Sequence, residues 1–213
     1  MTIELDHIFV LTSPGAPEAQ GLVNAGFGEG KSNQHPGQGT ANRRFFFANS
    51  TLEFLFVDDI ADAMNGAGKG LRLVERAIDV AGSPFGLVTR VIANVKEPNF
   101  PSWKYFPEYF PGDMCFYVGD NSDNFDEPLC ICMPPELVRP VKTTPTENEG
   151  YVLTNVVLAT PSAKPSQALI AFSHCDNLSV EHGKPHALTM VFNNGNDKQS
   201  LSLQPDLPVT LQW

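Results

Sequence analysis

The sequence predicts an α+β protein in which a strand–helix–strand–strand–strand (βαβββ) unit occurs twice. Three observations carry that expectation. The first sixty residues alternate apolar runs with turn signals in the order strand, helix, loop or strand, strand, strand. The opening run LDHIFVLTSP aligns with a later run LTNVVLATPS, so that Leu5 falls on Leu153, His7 on Asn155 and Thr12 on Thr160. Each copy is followed by a helical segment and then by a strand pair. A unit repeated in this way buries its open face against its copy.

Composition fits a packed domain. The chain has 213 residues, 42% hydrophobic and 18% charged, with a formal net charge of -10. That surface repels phosphate backbones, which argues against nucleic acid as a partner. No basic cluster suggests an anionic membrane, no apolar run reaches spanning length, and no signal-peptide pattern opens the chain. A cytoplasmic location is expected. Cys115, Cys130, Cys132 and Cys175 lack a second Cys or His pair at zinc-ligand spacing, so buried, reduced thiols are expected.

Residues 5–12 read as a strand that is apolar on both faces and so covered on both sides. Leu5, His7, Phe9 and Leu11 would share one face. Ser13-Pro14-Gly15 ends it, and Pro17 opens a short helix that stops at Gly26, Gly28 and Gly30. Residues 31–39 are polar, a loop or distorted strand. Residues 40–49 and 51–57 flank the turn signal Asn49-Ser50 and form a hairpin. Residues 58–82 read as helix, with an interruption at Gly66-Ala67-Gly68. Residues 85–95 form a strand. Pro101, Pro107 and Pro111 then forbid a long helix in the aromatic stretch that follows. Residues 129–133 are a short buried strand, and the polar residues 134–150 mark the internal boundary. The last part comprises a strand at 151–160, a helix at 166–173, a hairpin of 187–193 and 199–204 around Asn194-Gly195-Asn196, and a closing strand at 209–213.

Two ionisable groups sit inside apolar strands: His7 beside Ile8, and Glu53 between Leu52 and Phe54. Burying such groups is costly unless they are paired, hydrogen-bonded or metal-bound. A shared polar site between strands follows. A His–Glu pair satisfies both groups without any metal. Arg43 offers planar donors suited to a carboxylate or phosphate on a ligand, or else an ion pair with a neighbouring acid. Trp103, Tyr105, Phe106, Tyr109, Phe110, Phe116 and Tyr117 form either a pocket wall or core. Gly37 and Gly39 make no phosphate loop, and no nucleophile elbow is present.

The LDHIFV opening, the HPGQGTANR run at residues 35–43, the Leu-Glu pair at 52–53 and the late PDLP resemble the glyoxalase-like domain family of the vicinal oxygen chelate superfamily. The resemblance spans nearly the whole chain. It implies two βαβββ modules, at 1–60 and 150–213, whose sheets curl into an open cup, with a strand-rich and aromatic-rich excursion at 61–149 between them. It implies a small-molecule ligand in the cleft and allows a homodimer. In metal-using members each module offers ligands from its first and last strands. Carried over, these are His7 and Glu53, a pair suited to zinc, iron, manganese or nickel. Asn155, and Leu201 or Ser202, stand at the corresponding later positions, where Asn is a weak ligand and Leu is none; His182 and His186 precede the late hairpin.

The cleft residues expected on this reading are His7, Glu53 and His35 in metal or catalytic roles, and Asn42, Arg43 and Asn155 in ligand binding. Two functions compete. One is a metal-dependent lyase, isomerase or dioxygenase in which the metal polarises the substrate and a nearby base moves a proton. The other is a metal-free protein that binds or sequesters a small molecule. An interaction module is a third reading that the acidic surface neither favours nor excludes. Fold alone does not choose among them.

Overall fold

The computed structural model describes residues 3–79, 81–91, 97–134, 136–137 and 147–213. The chain opens with β1 (Ile3–Leu11) and a 3-10 turn at Pro17–Ala19 that leads into α1 (Gln20–Asn24). Then come β2 (Gln34–His35), β3 (Thr40–Phe46) and β4 (Thr51–Val57). The HPGQG segment is the β2–β3 turn, with Gly37 and Gly39 at positive φ. Gly39 is required twice over, because a Cβ there would also lie 2.3 Å from the Asp59 carbonyl oxygen.

The helix expected at 58–82 is present in pieces: α2 (Ile60–Asn65), a 3-10 turn at Ala67–Leu71, and α3 (Leu73–Ile78). Asp59 starts α2 by accepting a hydrogen bond from the Asp62 amide at 3.0 Å. Gly66, Gly68 and Gly70 are poor helix formers, which explains the break. The second half continues with β5 (Phe85–Val91), β6 (Ser102–Tyr105), β7 (Phe116–Gly119) and β8 (Leu129–Cys132). The end of the expected 85–95 strand, and much of the expected boundary loop at 134–150, lie outside the described residues.

These eight strands form one open, strongly curled mixed sheet in the order β2-β3-β4-β1-β5-β8-β7-β6. Its two halves follow one plan. Each puts its first strand at the centre and its last strand parallel beside it, β4 next to β1 and β8 next to β5, and β1 meets β5 antiparallel. The expected α+β class with paired four-stranded units holds. The partner of the first unit is corrected: within this sheet it is residues 85–132, the stretch expected to be an excursion, and not residues 150–213.

The C-terminal part builds its own sheet from β9 (Leu153–Thr160), β10 (Leu178–His182), β11 (Ala187–Phe192), β12 (Ser200–Ser202) and β13 (Val209–Gln212), with α4 (Gln167–Phe172) between β9 and β10. The order is β10-β9-β11-β13-β12. β9 has a parallel neighbour on one side and an antiparallel one on the other, as β1 does. That shared position explains why the two strands align in sequence. The expected hairpin of β11 with β12 does not form. The turn is there, with Asn193, Asn194 and Gly195 at positive φ. But β13 inserts between the two strands, parallel to β11 and antiparallel to β12.

The main core fills the space between the convex face of the large sheet and the C-terminal sheet. Ile8, Val10, Phe45 and Phe54 meet Leu158, Phe172, Met190 and Phe192 there, all fully buried. Each such side chain contributes about 1.5–3 kcal/mol by leaving water. A second, smaller core lies on the concave face, around Phe9, Leu55, Leu73, Val88 and Ile131. The buried Glu127 carboxylate fastens the two layers. It accepts from Asn121, from the Ser162 hydroxyl, and from the amide and hydroxyl of Ser166 at 2.6–2.9 Å. Among the described residues no helix is long and apolar enough to cross a membrane. All four cysteines are buried and free, as expected.

Candidate functional site: the cleft of the curled sheet

Curling leaves a cavity of about 740 Å³ on the concave face. Side chains enter it at every second residue of each strand, as the pleat dictates. Thr51, Glu53 and Leu55 come from β4, Arg44 and Phe46 from β3, Val88 and Arg90 from β5, and Leu129 and Ile131 from β8.

β1 departs from simple alternation, and the departure makes the site. Leu5 pairs with Thr89 and His7 with Val88, so Asp6 is an extra residue, a β-bulge. The bulge shifts the phase of the strand. Ile3, Leu5, Ile8 and Val10 all reach the main core, while Asp6, His7 and Phe9 all line the cleft. The expected grouping of Leu5 with His7 on one face is corrected accordingly.

Asp6 and His7 are joined at 2.7 Å through Nδ1. Burial raises the Asp6 pKa, but the His7 bond and the charges of His7 and Arg90 outweigh it and hold the carboxyl well below its ordinary range. The ionised carboxylate therefore accepts, and Nδ1 carries the proton. Arg90 binds the other Asp6 oxygen through Nε at 2.8 Å and through a second guanidinium nitrogen. Burial pulls the His7 pKa down, yet the negative charges of Glu53 and Asp6 prevail and the net shift is upward. His7 Nε2 has no protein hydrogen-bond partner among the described residues.

Glu53 faces this imidazole from β4. Its Oε2 accepts from the Asn42 amide at 3.2 Å. Arg44 lies directly across the β3–β4 ladder from Glu53 and feels its charge. The Arg44 guanidinium also donates to the Lys31 carbonyl at 2.7 Å and to Asn33 at 3.1 Å, and it sits 4.8 Å over the Phe46 ring. His35 stands beside Tyr109, with its Nδ1 3.0 Å from the Thr40 hydroxyl. Burial lowers the His35 pKa, with the nearby Glu53 charge opposing, so the ring is neutral near pH 7. Gln38 accepts from the hydroxyls of Tyr105 and Tyr109 at 3.2 and 3.1 Å. Burial pushes both phenols above their usual range, so they stay protonated donors.

The remaining walls are apolar: Phe9, Leu55, Leu71, Leu73, Val88, Leu129, Ile131 and Met133, with Phe110 and Phe116 from the aromatic stretch. That stretch divides by position. Tyr105, Tyr109, Phe110 and Phe116 line the cleft, whereas Phe106 is exposed.

His7, Glu53 and His35 thus come together, with Asn42 holding Glu53. Two expected residues do not join them. Arg43 points the other way, to a two-pronged ion pair with Glu29 at 2.5–2.7 Å and to the Ala16 carbonyl at 3.0 Å. Its neighbour Arg44 takes the cleft, one residue along and therefore on the opposite face. Asn155 lies on β9 in the C-terminal sheet, away from the cavity lining. Asn155 is displaced because the second half of the cup is β5–β8. Sequence reasoning missed Asp6, Gln38, Arg44 and Arg90. Only Arg44 carried a readable signal, the two-residue period from Asn42.

A resident metal can be tested against this donor set. His7 Nε2 and one Glu53 oxygen are two donors, where protein metal sites commonly supply three or four. The facing positions on β5 and β8 are Val88, Leu129 and Ile131, plus Arg90, none of them a metal ligand. Among the described residues no group of three His, Cys, Asp or Glu side chains, His35 with His7 and Glu53 included, is placed to hold one metal ion. The donors fit a metal poorly, and no chemical step is assigned to one here.

No protein-family model matches the chain, and no curated protein matches it. The crystal structure of a hypothetical protein from Staphylococcus aureus is similar over 99% of both chains, with a TM-score of 0.54 and 10% sequence identity. A hypothetical protein from Bacillus halodurans C-125 covers 68% of this chain and 100% of its own at a TM-score of 0.43 and 13% identity. The first likeness concerns the fold alone.

Proposed function

We propose that this chain is a glyoxalase-like protein that binds a small molecule in the cleft of its curled sheet, and that it does so without a resident metal. The observation that carries the reading is that an Asp6-oriented imidazole, His7, and an Asn42-held carboxylate, Glu53, whose charge acts on it, line one cavity with apolar walls. Small-molecule sites have this make-up, mostly apolar surface with a few convergent polar groups. The ligand that suits it has an apolar or aromatic body lying against Phe110, Phe116 and Ile131. Its polar, oxygen-bearing head takes hydrogen bonds from His7 and Arg44.

A second reading is catalytic, favoured by the Asp6–His7 pair. A carboxylate on Nδ1 fixes the tautomer and steadies the imidazolium that forms when Nε2 takes a proton. Glu53 or His35 would then serve as the second proton-transfer group, giving lyase or isomerase chemistry. The two readings part on one experiment. Binding of aryl carboxylates and alkyl aryl ketones is measured on chelator-treated protein, alongside hydrogen–deuterium exchange at the alkyl carbon next to the ketone carbonyl. Binding without exchange supports sequestration; exchange that His7→Gln abolishes supports catalysis.

A further inference from the structure

A second groove, of about 1160 Å³ and sharing no lining residue with the cleft, lies where the end of β1, the start of α2 and α3 meet the proline-rich loops of the C-terminal sheet. Its walls include Leu11, Val57, Val74 and Leu207, and its rim carries Ile60 and Ile78, which are 61% and 74% exposed. His186 is part of its lining, only 6% exposed, with neither ring nitrogen hydrogen-bonded. Burial lowers the His186 pKa; the charges of Asp126 and Asp79 oppose it without prevailing, so the ring is neutral near pH 7.

His186 is one of three such residues here. Among the described residues, seven buried side-chain polar atoms lack a partner, and four of them line this groove: both His186 nitrogens, Glu18 Oε2 and Arg76 Nε. Leaving a buried polar atom unpaired is costly, because it gives up its bonds to water and gains none. Two of the four are acceptors, Glu18 Oε2 and one nitrogen of the neutral imidazole, and their place in one groove marks where a donor from elsewhere would complete them.

Charge selects the class of ligand. The lining holds the acids Glu18, Asp79, Asp126 and Asp206 against the bases Arg76 and Lys184. The terminal nitrogens of Arg76 are already committed to the carbonyls of Ser122, Asn124 and Glu127. What remains is acceptor-rich and acidic over an apolar surface.

We infer that this groove is a second binding site, which takes a small primary or secondary amine with an apolar body, its N–H groups donated to His186 and Glu18. The amine's body would lie against the Ile60, Val74 and Pro208 surface.

The probe is benzylamine, titrated calorimetrically into the full chain with benzyl alcohol and benzoate as controls. Saturable benzylamine binding at least tenfold tighter than either control is expected. It should fall at least tenfold in His186→Phe and in Glu18→Gln, and should persist in Glu53→Gln. In case His186→Phe does not fold, imidazole ¹⁵N spectra of the wild-type protein give an independent readout, in which the His186 resonances move on addition of benzylamine. Absence of saturable binding overturns the proposal, since water alone then satisfies these atoms. So does binding that tracks Glu53, or His186 resonances that stay fixed while benzylamine binds.

Discussion

Asp6 and His7 are consecutive residues of one strand, and yet their side chains hydrogen-bond to each other at 2.7 Å on the same side of the sheet. Regular pleating would send them to opposite faces. The bulge that prevents this also places Phe9 in the cleft and Ile8 in the core, so one inserted residue orders both the site and the packing behind it.

The first prediction concerns the charge on His7. Glu53 and Asp6 raise its pKa against the pull of burial. Asp6→Asn removes one of those charges, so the His7 midpoint should drop when followed by imidazole NMR across a pH titration. An unchanged midpoint would show that the pair does not act on His7 as described.

The same shift has a consequence for stability. A histidine whose folded pKa is raised stabilises the fold fully below its unfolded value, and that stabilisation is lost as pH rises through the folded value. Wild-type Tm should therefore fall relative to His7→Gln as pH climbs from the ordinary histidine range through the raised one. A difference that grows with rising pH would contradict the sign.

Arg44 and Arg43 give a paired test. Arg44→Gln should weaken ligand binding by about tenfold, roughly 1.4 kcal/mol. Arg43→Gln should leave binding alone and cost about 0–1 kcal/mol of stability through its partly exposed ion pair with Glu29. Parallel titrations and denaturant melts of the two variants decide it, and a reversed outcome would place the wrong arginine in the cleft.

Glu127 serves as the structural counterpart to Glu53. Glu127→Ala strands the donors of Asn121, Ser162 and Ser166 and should cost about 3–5 kcal/mol in denaturant unfolding. Glu53→Gln keeps an acceptor for Asn42 and should melt within a degree or two of wild type. Equal destabilisation by the two substitutions would mean that Glu53 is there for folding.

Much of this was legible in the sequence. β4 falls on residues 51–57 as expected, because turn residues bound an apolar run on both sides. His7 and Glu53 stood out as ionisable groups among apolar neighbours, and they do share a cleft. The errors have physical causes. The bulge at Asp6 has no local signature, so the phase of β1 after Leu5 could not be read. The insertion of β13 between β11 and β12 is a long-range pairing that the Asn194-Gly195 turn does not reveal. The likeness of β1 to β9 is real at the level of sheet position. It says nothing, however, about which strand pairs with β1 on its antiparallel side, and that strand is β5.

The most direct test of the central claim is saturation-transfer NMR of an aryl carboxylate and aryl ketone panel on chelator-treated protein, wild type against the His7→Gln/Glu53→Gln double variant. At least one compound is expected to give a signal that survives chelation in the wild type and disappears in the double variant. Signals that need added metal, or that persist unchanged without His7 and Glu53, would contradict it.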